Sequence, residues 1–224
     1  MAFSKVSFVK FVRSLGDGEL IHFYNQGQDK RLGQMDITNN GWCHGVAVHW
    51  LRFKKQNGPS DTSFWDWLAS PKGASACSMQ MADQAVRPKL ALLFANKAYK
   101  GGFVDKPTAI SQLKDDYGNK NKVWLKQAGL GFMGKHEGGG STANLALNAS
   151  GTPGGYARIG LFFVGGGGHA VAAVKDGHNW RFMDPNAGEV LVKSTAKFND
   201  FFQKFYAMRY PTWGLASHYV EKYA

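Results

Sequence analysis

Apolar residues recur between positions 43 and 51 with the spacing of one helix face. They are Cys43, Val46, Ala47, Trp50 and Leu51, at positions i, i+3, i+4, i+7 and i+8. This spacing predicts a helix with one buried stripe. The turn-forming Asn39-Asn40-Gly41 precedes it, and Asn is a favoured helix cap. A basic turn and the Gly58-Pro59 pair follow, so we expect the helix to begin near Cys43 and to end around 55–58.

The middle of the chain is predicted to be mainly helical. Asp61-Thr62-Ser63 resembles a cap before the apolar residues 64–68, and further helices are expected over Met79–Lys100 and Thr108–Asp116. The segment Gly134–Gly155 is rich in glycine and poor in large apolar residues. This composition predicts a mobile surface loop, either a lid over a site or a simple connection.

The last third of the chain has the pattern of strands. Tyr156–Val164 is strongly apolar and predicts a buried strand, which Gly165–Gly168 interrupts. Two further strands are expected over His169–Val174 and Asn179–Met183. A third follows at 190–192, and a helical segment is expected near 198–208.

The Asp176-Gly177 pair between two of these strands is typical of a two-residue hairpin turn, because both residues tolerate positive φ. With that turn, His169 lies directly opposite Asp184 on one face of the sheet, with Cβ atoms about 4.5–5.5 Å apart. A four-residue loop keeps this register. A loop with an odd number of residues moves Asp184 to the other face.

Cys43 stands where a thiol becomes reactive. The start of a helix carries partial positive charge and free backbone N–H groups, which lower the pKa of a thiol and stabilise an oxyanion. The alternative is a small buried apolar residue. His169 is a candidate base because the preceding glycines allow close approach of a substrate, although a strand histidine is commonly structural. Cys77 has no comparable setting.

The composition limits the classes of partner and cofactor that we expect. Lys and Arg exceed Asp and Glu by 27 to 16, a formal charge of +11, which favours an anionic membrane surface or an acidic protein face. A basic protein without such a partner is the alternative, and no dense Lys/Arg run points to nucleic acid. Two cysteines are too few for a disulfide scaffold. No apolar stretch reaches membrane-spanning length, and a cleavable signal peptide is not expected. No metal or nucleotide-binding motif is found, so no cofactor is expected.

Three segments together resemble the YopT-type cysteine proteases, bacterial effectors of the papain-like clan. They are Asn40–Arg52, Gly168–Ala172 and Met183–Val190. The resemblance implies a papain-like α+β fold, with the nucleophile helix packed on an antiparallel sheet. It also implies Cys43, His169 and Asp184 as the catalytic triad. The clan uses an upstream amide in the oxyanion hole, where Asn39, Asn40 and Gln34 compete and Asn39 is favoured.

We therefore expect one catalytic domain over residues 1–224, with an N-terminal segment (1–38), a helical part (39–150) and a sheet part (151–224). The resemblance implies a cysteine endopeptidase that cleaves a host protein through a thioester. It further implies a secreted effector delivered to the host cytosol without a cleavable signal peptide. The same triad also suits an acyltransferase, deamidase or amidase. A non-catalytic basic module that binds anionic lipid or nucleic acid is the remaining alternative.

Overall fold

The computed structural model describes residues 4–15, 18–31, 42–80, 125–211 and 214–224. Most of the predicted helix Met79–Lys100 and all of Thr108–Asp116 lie outside the described residues, as do the oxyanion candidates Asn39, Asn40 and Gln34.

The helices with both ends described are α1 (Lys5–Ser14), α2 (Cys43–Asn57), α3 (Ser63–Ala69), α4 (Thr142–Ser150) and α5 (Thr195–Arg209), with a 3-10 turn at Gln26–Gln28. Residues 71–80 and 125–127 are also helical. The described strands are β1 (Gly18–His22), β2 (Phe132–Gly139), β3 (Tyr156–Phe163), β4 (Gly168–Asp176), β5 (Asn179–Asp184), β6 (Gly188–Val192) and β7 (Leu215–Tyr223).

The strands form one antiparallel sheet in the order β1-β6-β5-β4-β3-β7-β2. β1 comes from the N-terminal segment and β2 from the part predicted to be helical, so the sheet extends beyond residues 151–224. The predicted α+β class, with the Cys43 helix packed on an antiparallel sheet, is confirmed.

Each face of the sheet buries its own apolar cluster. Ala170, Ala172 and Val174 of β4 pack with α2 and α3 on one face. The alternating Val171 and Ala173 pack with α1, α4 and α5 on the other, as the period of a strand requires. The sheet is therefore covered by helices on both sides.

The helix predicted at Cys43 is present, and it begins at that residue. It ends at Asn57, within the expected range. Its N-cap is Trp42, which has no side-chain capping bond, in place of the expected asparagine. The residue at the tip of the helix is therefore Cys43 itself.

The prediction of a surface loop over Gly134–Gly155 is wrong. Most of that segment forms the end of β2 and the whole of α4. β2 pairs with β7 near the C-terminus, a partner that no local pattern reveals. Helix α4 buries Leu145 and two alanines, so its apolar face carries little bulk.

The predicted hairpin exists, but its register differs by two residues. The turn is Gly177-His178, with Gly177 at φ +62°, and Asp176 pairs with Asn179 as the last residue of β4. His169 is therefore not directly opposite Asp184. Because the shift is even, both residues remain on one face, as diagonal neighbours within side-chain reach.

Among the described residues, no helix has the length and hydropathy required to cross a bilayer.

Candidate active site

The structure brings together the three residues predicted as a triad. Cys43 is the first residue of α2, His169 the second of β4, and Asp184 the last of β5. The β4–β5 ladder stops at the pair Ala172–Met183, so the ladder does not extend to His169 and Asp184. They lie on the α5 side of the sheet, and the tip of α2 meets His169 at the start of β4.

The His169 imidazole is held by a buried carboxylate. Its Nε2 lies 2.8 Å from Oδ1 of Asp184, and the two residues are 6% and 0% exposed. The same Oδ1 accepts from the backbone N–H of Asn186 at 2.6 Å. The Tyr210 hydroxyl donates to Oδ2 at 2.7 Å. Both carboxylate oxygens are therefore bonded, and Nδ1 of His169 is left for the thiol.

Hydrogen bonds connect Cys43 to His169 and to the backbone. Burial raises the pKa of the Cys43 thiol and is the largest single effect, but the hydrogen bond and charge of His169 oppose it. Hydrogen bonds from the backbone N–H groups of Ala170 and His44 act with His169, so the net shift is downward from 9.0. The surroundings of Cys43 therefore favour its thiolate more than water does for an ordinary thiol.

The pKa of His169 is raised and the pKa of Asp184 is lowered. Burial lowers the pKa of His169, but the charge and hydrogen bond of Asp184 outweigh it and raise the pKa to about 10. Burial raises the pKa of Asp184, yet its imidazolium neighbour and three hydrogen bonds bring it below 3.8. The arrangement therefore stabilises a thiolate, an imidazolium and a carboxylate in one row.

The turn after Asp184 holds the carboxylate in place. Asp184 accepts from the N–H of Asn186 through its side chain and from that of Ala187 through its carbonyl. Gly188 closes the turn at φ +103°, and a Cβ there would lie 1.9 Å from the carbonyl oxygen of His22. The segment Asp184–Gly188, recognised in the sequence as part of a motif, is thus a tight turn packed against the end of β1.

A buried ion pair fixes the first turn of α2. Arg158 of β3 donates through Nη1 to Nδ1 of His44 at 2.9 Å. Its Nε donates to Oε2 of Glu221 at 2.8 Å, and Tyr223 donates to the same oxygen at 2.6 Å. The residue next to Cys43 is therefore anchored to two strands of the sheet.

The favoured oxyanion residue, Asn39, lies outside the described residues, so its role stays a prediction. The structure instead reveals an upstream amide that the sequence analysis did not consider. Gln26 is 6% exposed. Its Oε1 accepts from the backbone N–H of Trp42 at 2.6 Å, and its Nε2 donates to Oδ1 of Asn186 at 2.8 Å. No sequence motif marks Gln26.

A cavity of about 610 Å³ opens beside the start of β4. It is lined by Phe163, Val164, Gly165, Gly166, Gly167, Gly168 and Gly214. Because most of these residues lack a side chain, another backbone is able to approach closely next to His169. Elsewhere in the described part of the chain, no group of three or more His, Cys, Asp or Glu is placed to hold a metal ion.

A family model matches most of this sequence. The model is Peptidase C58, described as Yersinia/Haemophilus virulence surface antigen, and it matches residues 16–213. This range includes all three predicted triad residues. No curated protein matches the sequence significantly.

Solved structures resemble the fold. The Pseudomonas avirulence protein AvrPphB aligns at 17% identity and a TM-score of 0.55, covering 85% of this chain and 95% of that one. PatoxP, a cysteine protease-like domain of the Photorhabdus asymbiotica toxin PaTox, aligns at 15% identity and a TM-score of 0.43, covering 96% and 58%. At this identity, the likeness to AvrPphB shows a shared fold.

Proposed function

This chain belongs to the C58 family of YopT-type cysteine proteases, and from that premise we propose that it is a cysteine endopeptidase with Cys43 as nucleophile. The observation that carries the proposal is the hydrogen-bonded row from the Cys43 sulfur through His169 to Asp184, with 2.8 Å between His169 Nε2 and Asp184 Oδ1. A structural cysteine needs no such partners.

In the proposed reaction, the Cys43 thiolate attacks the scissile carbonyl carbon and a C–S bond forms. The His169 imidazolium gives its Nδ1 proton to the leaving amine as the C–N bond breaks, which leaves a thioester. Water then attacks the thioester while His169 takes its proton. The C–S bond breaks, the acid product leaves, and the thiolate and imidazolium are restored. Asp184 holds the imidazole tautomer throughout.

The oxyanion formed in each attack needs donors. We assign the backbone N–H of Cys43, which stands at the start of α2 without a partner within the helix. The second donor is an upstream side-chain amide, for which Asn39 is the proposed residue.

The substrate is proposed to be a host protein, because the family is described as a virulence antigen. In this proposal the chain is a secreted bacterial effector that acts in the host cytosol. The charge of +11 suits a substrate on an anionic membrane surface or with an acidic face. The glycine-lined cavity beside His169 is the proposed place for the substrate backbone.

The test is labelling of new protein N-termini in a host-cell lysate treated with the wild-type chain or with Cys43→Ala. We expect new termini with the wild type and with Cys77→Ala, but none with Cys43→Ala. Cys77→Ala is the matched control, because Cys77 is fully buried and burial raises its thiol pKa to about 12. His169→Ala should lose as much activity as Cys43→Ala, since these residues act as a unit.

Other outcomes of the same experiment would replace the proposal. A mass gain on substrate side chains without new termini would indicate acyl transfer, and the mass change of amide hydrolysis would indicate deamidation. If no substrate changes and iodoacetamide leaves Cys43 unlabelled at neutral pH, a non-catalytic binding role is correct.

A further inference from the structure

A chain of hydrogen bonds, buried at its two ends, connects Asp184 to the residue just before Cys43. Tyr210 donates to Oδ2 of Asp184 at 2.7 Å, and Nδ2 of Asn186 lies 3.3 Å from the Tyr210 oxygen. Oδ1 of Asn186 accepts from Gln26 at 2.8 Å, and Gln26 accepts from the N–H of Trp42 at 2.6 Å. The path therefore runs from the N-cap of α2 to the proposed orienting carboxylate.

The backbone sets the direction of every bond in this chain. The Trp42 N–H is a donor only, so it must bond to the side-chain carbonyl oxygen of Gln26. The amide NH₂ group of Gln26 then faces Asn186. Asn186 must then direct its side-chain oxygen at Gln26 and its amide NH₂ group at Tyr210. The Tyr210 oxygen thus accepts from Asn186, and its proton is left for Asp184.

We propose that Tyr210 is a positioning residue, held as a hydrogen-bond donor to Asp184 by the polarity that Trp42 imposes through Gln26 and Asn186. This inference rests on the proposed function, because it assigns Tyr210 a part in the same reaction. The phenol is fully able to donate, since burial and the Asp184 charge keep its pKa well above 10.0. With Oδ2 bonded to Tyr210, Oδ1 stays directed at His169.

Removing the Tyr210 hydroxyl should raise the pKa of Asp184. In Tyr210→Phe, Oδ2 of the fully buried Asp184 loses its donor, so the carboxylate anion is less stable and its pKa rises. Protonation of Asp184 then begins at higher pH and removes the counter-charge of the imidazolium. The Cys43 thiolate is lost at the same step.

The first experiment measures the rate of Cys43 alkylation by iodoacetamide against pH, by mass spectrometry, on the full folded chain. The alkylation rate falls at low pH as the thiolate is protonated, and we call this fall the acid limb. We expect the acid limb of Tyr210→Phe to lie about one pH unit above that of wild type. With a peptide substrate, kcat should fall about tenfold while KM stays unchanged. A role confined to fold stability would not move the acid limb.

Tyr206→Phe is the matched control. Tyr206 lies in α5, whose C-cap is Tyr210, and the two ring centroids are 5.6 Å apart. In the described part of the chain, the buried Tyr206 hydroxyl has no hydrogen-bond partner. We expect its profile to match wild type. If Tyr210→Phe keeps the wild-type acid limb, or if Tyr206→Phe shifts equally, the proposal is overturned.

A double-mutant cycle tests the path itself. The carboxylate of Gln26→Glu has no N–H for Asn186, so the Asn186 amide should turn over and accept the Tyr210 proton in place of Asp184. We expect Gln26→Glu to raise the acid limb in the wild-type background and to have no effect in Tyr210→Phe.

Equal shifts in both backgrounds would mean a direct effect of the added charge and would overturn the path. A different result would contradict the proposed function itself: wild-type Cys43 that titrates as an ordinary thiol near pH 9.0, the unperturbed value. The two failures are therefore distinguishable.

Discussion

Glu189 is a fully buried carboxylate that accepts hydrogen bonds from four side chains. The indole N–H groups of Trp50 and Trp65 donate to Oε2 at 3.0 and 2.9 Å. Lys54 and Arg181 donate to Oε1 at 2.7 and 2.9 Å. Two of the donors belong to α2, so this carboxylate attaches the helix that carries Cys43 to the neighbouring helix and strand.

We expect Glu189→Gln to be strongly destabilising. The amide keeps the size of the side chain but removes the charge, and its NH₂ group is unable to accept. Lys54 is affected most, because it is 0% exposed and keeps the neutral backbone carbonyl of Asp61 as acceptor, whereas Arg181 keeps the carboxylate of Asp176 at 2.9 Å. Leaving one partner of a buried pair uncompensated costs about 3–5 kcal/mol, a large part of the usual total stability of about 5–15 kcal/mol.

The assay is equilibrium unfolding in urea, comparing the free energy of unfolding of each variant with wild type. Asp200→Asn is the matched control. Asp200 contacts Lys204 at 2.8 Å as well, but their side chains are 51% and 56% exposed. The same change from carboxylate to amide should cost no more than about 0.5 kcal/mol there.

A second substitution should recover part of the lost stability. Adding Lys54→Met to Glu189→Gln removes the uncompensated cation and should restore part of the lost free energy. Equal losses for Glu189→Gln and Asp200→Asn, or a double variant less stable than Glu189→Gln alone, would refute the assignment of the cost to Lys54.

The loss of folding stability in Glu189→Gln should become smaller as pH rises. Burial lowers the pKa of Lys54 and the charge of Glu189 opposes that shift, so the folded-state pKa falls further in the variant. The unfolded chain then binds more protons than the folded one between this pKa and 10.5, and stability rises with pH in that window. The gap to wild type should therefore narrow as pH increases.

Four further predictions follow from the site and its supports. Cys43 should be alkylated by iodoacetamide at lower pH than an ordinary thiol of pKa 9.0, and a peptidase assay should lose activity near pH 10, where His169 gives up its proton. Asp184→Asn should lower kcat about 10²–10⁴-fold with KM unchanged, measured at steady state. Gly45→Ala places a Cβ 2.6 Å from a backbone carbonyl oxygen and should cost about 1–3 kcal/mol in urea unfolding; Gly139→Ala, which meets nothing within 4 Å, should cost far less.

The site was predictable from sequence to the extent that local patterns determine it. The apolar spacing after Cys43 places that residue at a helix start, and the structure agrees. The hairpin prediction chose the wrong two turn residues, because Asp-Gly and Gly-His both fit a short turn and only cross-strand packing selects between them. The common face of His169 and Asp184 survived, since a register shift by two residues keeps the alternation of a strand.

Long-range pairing explains what the sequence could not reveal. The glycines of β2 indicate a loop by composition, yet Gly138 is required because a Cβ there would lie 2.5 Å from the His218 ring. Gln26 and Asn186 are separated by 160 positions, so no local pattern connects them. Residues that support a site from distant segments become visible only when the fold is known.

Buried charge anchors α2 to the sheet near both of its ends. Arg158 and Glu221 hold His44 in its first turn, and Glu189 holds Lys54 close to its last. Buried ion pairs give little net stability, since desolvation offsets most of their attraction. Their directional hydrogen bonds instead resist any rotation or sliding of the helix, because each such movement would leave a buried charge unpaired. This accounts for why polar groups occupy positions that apolar side chains would fill at lower cost: they fix the tip of α2, where the Cys43 sulfur meets the imidazole.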